Sequence, residues 1–521
     1  MVHIPGAGNG LLAAQLFSFT IAAAIPDKNA IWNEIKQSGA CCTALNYFLP
    51  DKVHYNNLTD LGYQSSQLSF WSAQEAALQP TCIVVPTSSQ DVSLAVTILS
   101  LGFQAGISGC QFAVRGAGHT PWAGAANIDG GVTIDTQSLN QVTVSSNQGT
   151  VSVGPGNRWG NVYPTLDNLN VAMVGGRLSH VGVGGLVIGG GISFFSGRYG
   201  FACDNLQAIE IVLANGTVAT ASSSKNADLF KALKGGTNNF GVVTRFDAKL
   251  YPQKPFWGGT IVQPATNKEA LFDFFVKFTN SSTYDPYAAL ITNFAWLEGI
   301  PSVINDVVYT NGDVAWPPPT YAPLDTMAKI LSTMRVAHLS NITDELAASA
   351  AATNGHNNLL TTVTFVNKGN VSAEFMSQVF DLADATAKQL ITVVGLVYTM
   401  TLQPLPYTIY SKSAATGGNV LGLDRFNEDL INLLFTLSWQ LPTDNVRVEA
   451  AMQQLESDIL ALEKQMGVFN EFVYLNYAAQ WQDPISGYGD NNVQFLKSVS
   501  KKYDPNGVFQ KGVPGGFKVG T

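Results

Sequence analysis

The sequence is poor in charged residues and has no basic cluster. Asp, Glu, Lys and Arg together make up 12% of its 521 residues, and the formal net charge is −9. Because no segment concentrates Lys and Arg, neither a nucleic acid nor an anionic membrane is expected as a partner. Hydrophobic residues make up 46% of the chain, and its length exceeds that at which one core stops growing. We therefore predict two domains with large buried cores.

Signatures of a metal site are also missing. No CxxC pair is present, as zinc or redox chemistry would favour. His3, His54, His338 and His356 lie in unrelated segments without the spacing of metal ligands. We therefore expect no metal site.

Cysteines are few, and their number bears on where the protein resides. Five cysteines fit a secreted protein with up to two disulfides and one free thiol, and the sequence leaves the pairing open: Cys41, Cys42, Cys82, Cys110 and Cys203. The five Asn-X-Ser/Thr sequons, little more than chance supplies, are compatible with a glycoprotein.

The N-terminus resembles a secretory signal. Residues 11–25 form an apolar run that is too short to span a membrane and contains three successive alanines, although no Lys or Arg precedes it. We expect residues 1–25 to be a signal-like segment and the protein to be secreted or to reside in the secretory-pathway lumen. A cytoplasmic location is the alternative.

Residues 80–252 are rich in strand and turn signals. Residues 82–85 are predicted to form a strand, and residues 88–91 a capping box that opens an apolar helix. Further strands are predicted at residues 112–114, 132–135, 141–144, 150–153, 209–213 and 217–220, with Asn215-Gly216 turning the last pair. This succession predicts an α+β fold.

Residues 253–468 have a different pattern of predicted elements and contain no motif. Amphipathic patterns predict helices at residues 267–278, 323–336, 372–390 and 445–466, between strands such as 360–366 and 391–399. We predict a second domain, in which helices cover a sheet.

The most informative motif lies between two predicted strands, at residues 112–135. The first strand leads into the turn Arg-Gly-Ala-Gly-His at residues 115–119. Small residues let backbone amides approach an anion closely, so this turn suits a pyrophosphate with an imidazole beside it.

A second glycine-rich stretch spans residues 174–205. Gly182 and Gly184 have the spacing of a G-x-G-x-x-G fingerprint, but Val187 occupies its third position. Ser193 has no Gly two residues later, as a nucleophile elbow would need. The many small residues indicate a backbone pressed against something flat or anionic.

Together these motifs resemble those of the vanillyl-alcohol oxidase superfamily, and specifically its fungal berberine-bridge-enzyme-like branch. The matching segments are R-G-A-G-H (115–119), G-V-G-G with a following G-G-G (182–191), R-Y-G and D-N (198–205), G-G-T-N-N-F-G-V-V-T (235–244) and Y-L-N-Y (474–477). Their order and spacing agree from about Cys42 to Phe509.

The resemblance implies an FAD-linked oxidoreductase of two domains with an α+β fold. The FAD-binding domain would span residues 26–252, with two α/β subdomains and a PCMH-type core from about residue 78. The substrate-binding domain would span residues 253–468 and contain an antiparallel sheet covered by helices. Residues 469–521 would return to the FAD-binding domain.

The resemblance also implies how FAD is bound. His119 would form a covalent bond to the 8α-methyl group of FAD. The other cofactor-binding residues would be Arg115, Gly116, Ala117, Gly118, Ser179, Val181, Gly182, Val183, Gly185, Gly189, Val243, Tyr474 and Asn476. Relatives carry a second attachment cysteine where this chain has Leu178, so a single covalent link is expected.

Tyr477 is the candidate base. Relatives have a tyrosine beside the flavin in this element, and a phenol needs a neighbouring cation to act as a base near neutral pH, for which Arg115 and Arg177 are candidates. His180 is the second catalytic candidate, although a hydrogen-bonded loop residue is the preferred interpretation. Val181 matches a position where valine in relatives lets dioxygen reach the reduced flavin, which predicts an oxidase.

The predicted activity is hydride transfer from an alcohol or activated C–H of a small, mostly apolar metabolite to flavin N5, with dioxygen as acceptor and hydrogen peroxide as product. Natural-product tailoring, including oxidative cyclisation, is preferred. A carbohydrate oxidase and a flavin-holding scaffold for non-redox cyclisation are the alternatives. A monomer is expected.

Overall fold

The structure is a computed structural model that describes residues 26–38, 40–297 and 299–520. The predicted signal-like segment at residues 1–25 lies outside the described residues. The α-helices are α1 (Lys28–Ser38), α2 (Cys41–Phe48), α3 (Leu61–Leu68), α4 (Ala73–Ala76), α5 (Ser89–Gln104), α6 (Trp159–Asp167), α7 (Val183–Ile188), α8 (Ser196–Tyr199), α9 (Ala227–Leu233), α10 (Lys268–Phe278), α11 (Ala322–Thr326), α12 (Leu339–Ser349), α13 (Asn370–Gln389), α14 (Tyr407–Tyr410), α15 (Asn445–Met466) and α16 (Asp490–Tyr503).

The strands form four sheets. They are β1 (Val53–Tyr55), β2 (Cys82–Val84), β3 (Phe112–Arg115), β4 (Val132–Asp135), β5 (Val142–Val144), β6 (Thr150–Val153), β7 (Val171–Ala172), β8 (Leu206–Val212), β9 (Val218–Ser222), β10 (Val242–Lys249), β11 (Tyr251–Pro252), β12 (Phe256–Pro264), β13 (Ala288–Leu297), β14 (Ile300–Tyr309), β15 (Leu331–Ser332), β16 (Arg335–Ala337), β17 (Asn357–Val366), β18 (Val397–Leu405), β19 (Leu430–Trp439) and β20 (Phe469–Asn470).

The first sheet has the order β1-β2-β4-β3, in which β2, β4 and β3 run parallel. The side chain of Ser88 accepts a hydrogen bond from the backbone N–H of Asp91 and so caps α5, as the sequence predicts. Since β2 and β4 are buried along their whole length, they need cover on both faces, as parallel strands do.

Two disulfides cross-link the segments around the first sheet. Cys41 pairs with Cys110, and Cys42 pairs with Cys82. They tie α2 to the loop just before β3 and to the start of β2. Cys203 is a free, buried thiol, so the predicted limit of two disulfides and one free cysteine is confirmed.

The second sheet is antiparallel, with the order β5-β6-β10-β8-β9. Gly216 turns the β8–β9 hairpin with a φ of 83°, a conformation that glycine adopts without strain. This is the hairpin that Asn215-Gly216 predicts. A separate two-stranded ladder joins β7 to β11.

The largest sheet has nine antiparallel strands, ordered β15-β12-β14-β13-β18-β19-β17-β20, with β16 also paired to β12. Helices α10, α13 and α15 pack side by side on one face. Ile261, Phe294 and Leu433 point into the core beneath these helices, whereas Ile291 and Val308 belong to the core shared with the second sheet. The second face of this sheet therefore turns toward the first half of the chain.

Two predicted elements are wrong in extent. The helix predicted at residues 323–336 ends at Thr326, because residues 331–332 and 335–337 pair as β15 and β16 with the outer edge of β12. The strand predicted at 391–399 begins only at Val397, since backbone hydrogen bonds from Val393 to Leu390 and from Leu396 to Val393 form turns before it. In both places the tertiary context overrides a local pattern.

Among the residues described, no helix is long and apolar enough to cross a membrane. The same ranges contain no group of three His, Cys, Asp or Glu side chains that could hold a metal ion.

Candidate active site

His119 follows the turn after β3 and lies among other rings. Its ring stacks on Trp71, with centroids 4.3 Å apart and an interplanar angle of 13°, and the ring of His180 lies 4.9 Å away. The Nε2 atom of His119 is shielded from solvent and has no hydrogen-bond partner. Burial, reinforced by the neighbouring His180 ring and by the positive charge of Arg158, holds the pKa of His119 well below its ordinary value. The result is a neutral imidazole with an unused nitrogen.

Two glycine-rich turns face each other beside His119. A Cβ added at Gly116 would lie 3.7 Å from the backbone nitrogen of Gly185, and one added at Gly182 would lie 2.6 Å from the Cβ of Ala117. A Cβ added at Gly185 would meet no atom within 4 Å, so the surface here is open. Backbone that is free of side chains and open on one side can receive a flat or anionic group.

Arg158 fastens these turns together. Its Nη2 donates to the carbonyls of Ala117 (3.0 Å) and Ser69 (3.2 Å), and its Nη1 donates to the carbonyl of His180. Burial lowers the pKa of His180 to about 4, with the nearby charge of Arg158 as a second cause. Above pH 5, His180 is therefore neutral. The sequence did not reveal Arg158, which lies outside every motif.

The side chain of Arg115 supports the first turn from behind. Its Nη1 donates to Asp135 (3.2 Å) and to the Ser66 hydroxyl (2.8 Å), and its guanidinium lies 3.8 Å from the centroid of the Phe70 ring. These contacts hold both terminal nitrogens of its buried guanidinium, and no hydrogen bond among the described residues joins Arg115 to Tyr477. Its backbone remains part of the glycine-rich turn.

Tyr477 belongs to a polar cluster that joins three segments. Its hydroxyl accepts a hydrogen bond from Nη2 of the buried Arg177 (2.7 Å) and donates to Oε1 of Gln403 on β18 (3.2 Å). Arg177 also donates to Gln403. A cationic donor aimed at a phenolic oxygen is the arrangement that stabilises an oxyanion. Of the two predicted cations, Arg177 is the one that contacts Tyr477; Gln403 was missed because it lies in a strand without a motif.

Tyr474 docks the same segment onto the second glycine-rich stretch. Its hydroxyl accepts hydrogen bonds from the backbone N–H groups of Gly191 (3.0 Å) and Ile192 (3.1 Å) and from Nδ2 of Asn476 (3.0 Å). Burial raises the pKa of Tyr474, so its hydroxyl stays protonated. A Cβ added at Gly189 would lie 2.0 Å from Oδ1 of Asn476, which shows why glycine is needed there.

The remaining predicted cofactor residues lie in the loop before α7, at the start of α7 and on one strand of the second sheet. The backbone N–H of Ser179 donates to the carbonyl of Thr343 on α12, and the carbonyl of Val181 accepts from Trp159. The side chain of Val183 is fully buried at the start of α7. Val243 lies on β10 opposite Ile211 of β8.

Comparison with known proteins identifies the family. An FAD binding domain family matches residues 80–222. The FAD-dependent monooxygenase tpcD of Cochliobolus heterostrophus is 36% identical over 534 residues, covering 98% of this chain and 99% of that protein. The FAD-dependent monooxygenase sdcF of Emericella nidulans is 36% identical over 487 residues, covering 92% and 98%.

Solved structures agree on the fold. Physcomitrella patens BBE-like 1 superposes with a TM-score of 0.71 at 19% identity, covering 90% of this chain and 97% of that one. A berberine bridge enzyme variant in complex with (S)-reticuline superposes with a TM-score of 0.73 at 16% identity, covering 92% and 97%. This chain belongs to the family of these fungal FAD-dependent oxidoreductases, and it has the fold of berberine-bridge-enzyme-like proteins. The predicted family, fold class and enzyme class are confirmed.

The residues of this FAD-dependent oxidoreductase fit FAD. The unpartnered nitrogen of His119, the open surface at Gly185 and the facing glycine-rich turns together offer a nucleophile and a backbone cradle. FAD, when bound, would supply the acceptor for a hydride, which carries two electrons.

Proposed function

We propose that this protein is an oxidase that removes a hydride from an alcohol or activated C–H of a small molecule while Tyr477 takes the proton of the adjacent hydroxyl. The observation that carries the proposal is the hydrogen bond from Arg177 to the Tyr477 hydroxyl. Gln403 fixes the direction of that hydroxyl and Tyr474 packs edge-on against the Tyr477 ring, with centroids 4.8 Å apart. A general base held in this way typically contributes about 10²–10⁴-fold to the rate.

We further propose a single covalent link to FAD through His119. A solved glucooligosaccharide oxidase from Acremonium strictum, similar to this chain in fold, is described as carrying a 6-S-cysteinyl, 8α-N1-histidyl FAD. In this chain Leu178 stands before the second glycine-rich turn. Cys203 is buried, and burial raises the pKa of its thiol well above the ordinary value, so it is unreactive.

The proposed electron acceptor is dioxygen, with hydrogen peroxide as product, and the proposed role is natural-product tailoring. The fungal relatives named FAD-dependent monooxygenases favour a second candidate, in which an oxygen atom enters the product. Turnover under ¹⁸O-labelled dioxygen separates the two, because an oxidase releases labelled peroxide and a monooxygenase labels the product.

The domain limits given above, a monomeric state and export from the cytoplasm remain predictions. The two disulfides support export because disulfides persist in oxidising compartments.

Tyr477→Phe tests the proposed base. It keeps the aromatic volume but removes the proton acceptor, so anaerobic reduction of the flavin by substrate should slow by about 10²–10⁴-fold with little change in binding. A substrate is found first by screening polyketides, indole alkaloids and sugars for peroxide release, and stopped-flow absorbance then gives the rate.

Tyr407→Phe serves as the matched control, because Tyr407 is half-exposed on α14. Its rate should equal that of the parent. A Tyr477→Phe protein that retains more than about a third of the parental rate would show that the base lies elsewhere.

A further inference from the structure

A row of side chains crosses the nine-stranded sheet on the face turned away from its helices. Thr260 of β12 lies opposite Asp306 of β14, and Asp306 lies opposite Ile291 of β13. Thr292 pairs with Leu402, so the next position along places Ile291 beside Gln403 of β18. Successive residues alternate between faces, and Val303 and Val307 pack under the helices. Asp306 therefore faces the same side as Gln403.

Asp306 is held in one orientation by its neighbours on this face. Oδ1 accepts from the Thr260 hydroxyl (3.1 Å), and Oδ2 accepts from Nδ2 of Asn293 (3.2 Å). Asn293 is itself fixed, because the Thr401 hydroxyl donates to its Oδ1 (2.8 Å). A carboxylate can accept about four hydrogen bonds, so two donors leave each oxygen of Asp306 with a free lone pair.

The charge of Asp306 suits recognition at neutral pH. Burial raises its pKa to about 6; Glu345 acts in the same direction, while Arg177 opposes it. The carboxyl is thus ionised at pH 7.5 although it lies deep in the protein. Its residue nevertheless keeps some solvent exposure, so a small molecule can reach it.

Asp306 stands apart from the reacting group. Two strand spacings separate it from Gln403, or about 10 Å, and Gln403 contacts both Tyr477 and Arg177. The position between them in the row is the buried, apolar Ile291. This face therefore offers a polar group at each end and an apolar floor between them.

We propose that Asp306 is a specificity-determining residue that accepts a hydrogen bond from a substrate hydroxyl at the end remote from the reacting bond. The substrate class is a compact, ring-containing molecule with an apolar body and a hydroxyl at each end. A neutral hydroxyl suits the site better than an ammonium group, because Arg177 supplies a positive charge on the same side. The assignment depends on the proposed function in one respect, namely that the substrate reacts at the end near Tyr477. It adds a hydroxyl at the other end of the mostly apolar substrate that the sequence predicts.

Binding of two matched probes to the FAD-loaded protein tests the assignment without turnover. Para,para-biphenol has a hydroxyl at both ends, whereas para-phenylphenol has a hydroxyl at one end only. Neither has the carbinol C–H that a hydride donor needs. Dissociation constants come from the change in flavin absorbance at pH 7.5. A hydrogen bond to a charged acceptor predicts that the parent binds the diol at least about tenfold more tightly than the monophenol.

In Asp306→Leu the two probes should bind within about twofold of each other. Asp306→Asn keeps the shape of the side chain but loses its charge, and it should reduce the parental preference for the diol by at least about threefold. This variant keeps the test valid if Asp306→Leu misfolds. Asp273→Leu, on the exposed side of α10, should keep the full preference. FAD content and melting temperature are compared for all variants.

A preference that survives in Asp306→Leu and Asp306→Asn would overturn the assignment. A parent that binds neither probe, or binds both equally, would overturn the substrate class. Neither outcome depends on the base, since Tyr477→Phe is judged by the rate of flavin reduction and these probes only bind.

Discussion

At the scale of single residues, His119 has the most direct test. Its Nε2 atom is unpartnered and its ring is held flat against Trp71, so the proposed attachment to FAD would use a nitrogen that makes no other hydrogen bond. Acid-precipitated parent protein should stay yellow, and its peptide around residues 112–122 should be heavier by one FAD. His119→Ala should lose all of this covalent colour.

The matched control is His180→Ala, which removes the neighbouring ring and leaves His119 in place. We expect it to retain covalent flavin. Covalent colour that persists in His119→Ala would identify another attachment residue, and parental flavin that is wholly released by acid would rule out a covalent link.

Which residues the sequence could reveal depended on whether they lie in a motif. His119 and Tyr477 do, and Arg177 was accessible as a basic residue beside the second glycine-rich stretch. Arg158, Gln403 and Asp306 lie in segments that carry no motif. Arg158 acts by reaching carbonyls at three distant positions, and Gln403 acts through residues more than 70 positions away. Such contacts leave no local pattern.

At the scale of one element, α15 carries a carboxyl group that opposes folding. Glu463 is fully buried, and neither of its oxygens has a hydrogen-bond partner. Burial raises its pKa to about 9. Between an ordinary pKa near 4.5 and this value, the folded state holds a proton that the unfolded state releases, so stability falls as the pH rises through this window.

Glu463→Met should therefore stabilise the protein by about 1–3 kcal/mol at neutral pH, since it removes an unsatisfied buried polar group. The difference in melting temperature between variant and parent should widen from pH 5 to pH 9. Differential scanning fluorimetry across that range measures it. A difference that is constant with pH would mean that Glu463 ionises normally.

Glu456 on the same helix provides the matched control. Its carboxylate accepts hydrogen bonds from the side chains of Thr361 (2.9 Å), Trp481 (2.8 Å) and Gln482 (2.9 Å). Glu456→Met leaves these three donors without an acceptor and should destabilise the protein. The same substitution about two helical turns apart should thus change stability in opposite directions.

Elements were predicted well where the local pattern and the tertiary context agree. The hairpin at Gly216 and the capped helix α5 depend on turn and cap chemistry, which is local. The helix predicted at 323–336 failed because β15 and β16 complete the edge of β12, a requirement that comes from a strand some 70 residues earlier.

At the scale of the whole molecule, both ends of the described chain pack on the same helix. Ile31 and Ile35 of α1 share a core with α5, and so do Phe509 and Val513 near the C-terminus. Beyond Val513 the tail is bonded to Asn239, which donates to the carbonyl of residue 517 (2.9 Å) and accepts from the N–H of residue 519 (3.3 Å). The C-terminal segment therefore belongs to the first half of the structure.

Truncation after Gly512 tests whether the packing of the C-terminal tail stabilises the protein. It removes Val513 and Val519 from buried positions, each worth about 1.5–3 kcal/mol, so the protein should melt at a lower temperature and bind less FAD after refolding. Lys511→Ala, at an exposed position just before the cut, should change neither quantity. An unchanged melting temperature after truncation would show that the tail is dispensable.

The sequence predicts this return of the chain only through the family resemblance. Nothing in the periodicity of residues 503–520 points to α1 or α5, because the two ends meet across about 480 residues and each contributes only a few apolar side chains. Long-range packing of short segments has no signature in the local pattern.

The shared core of the two ends has a consequence for biosynthesis. All four paired cysteines lie within the first 110 residues, so both disulfides can close while the ribosome is still translating the large sheet. The core around α5, in contrast, is completed by Phe509 and Val513, which are synthesised about 400 residues after Cys110. We therefore expect a product terminated before Phe509 to form both disulfides and yet to bind FAD poorly.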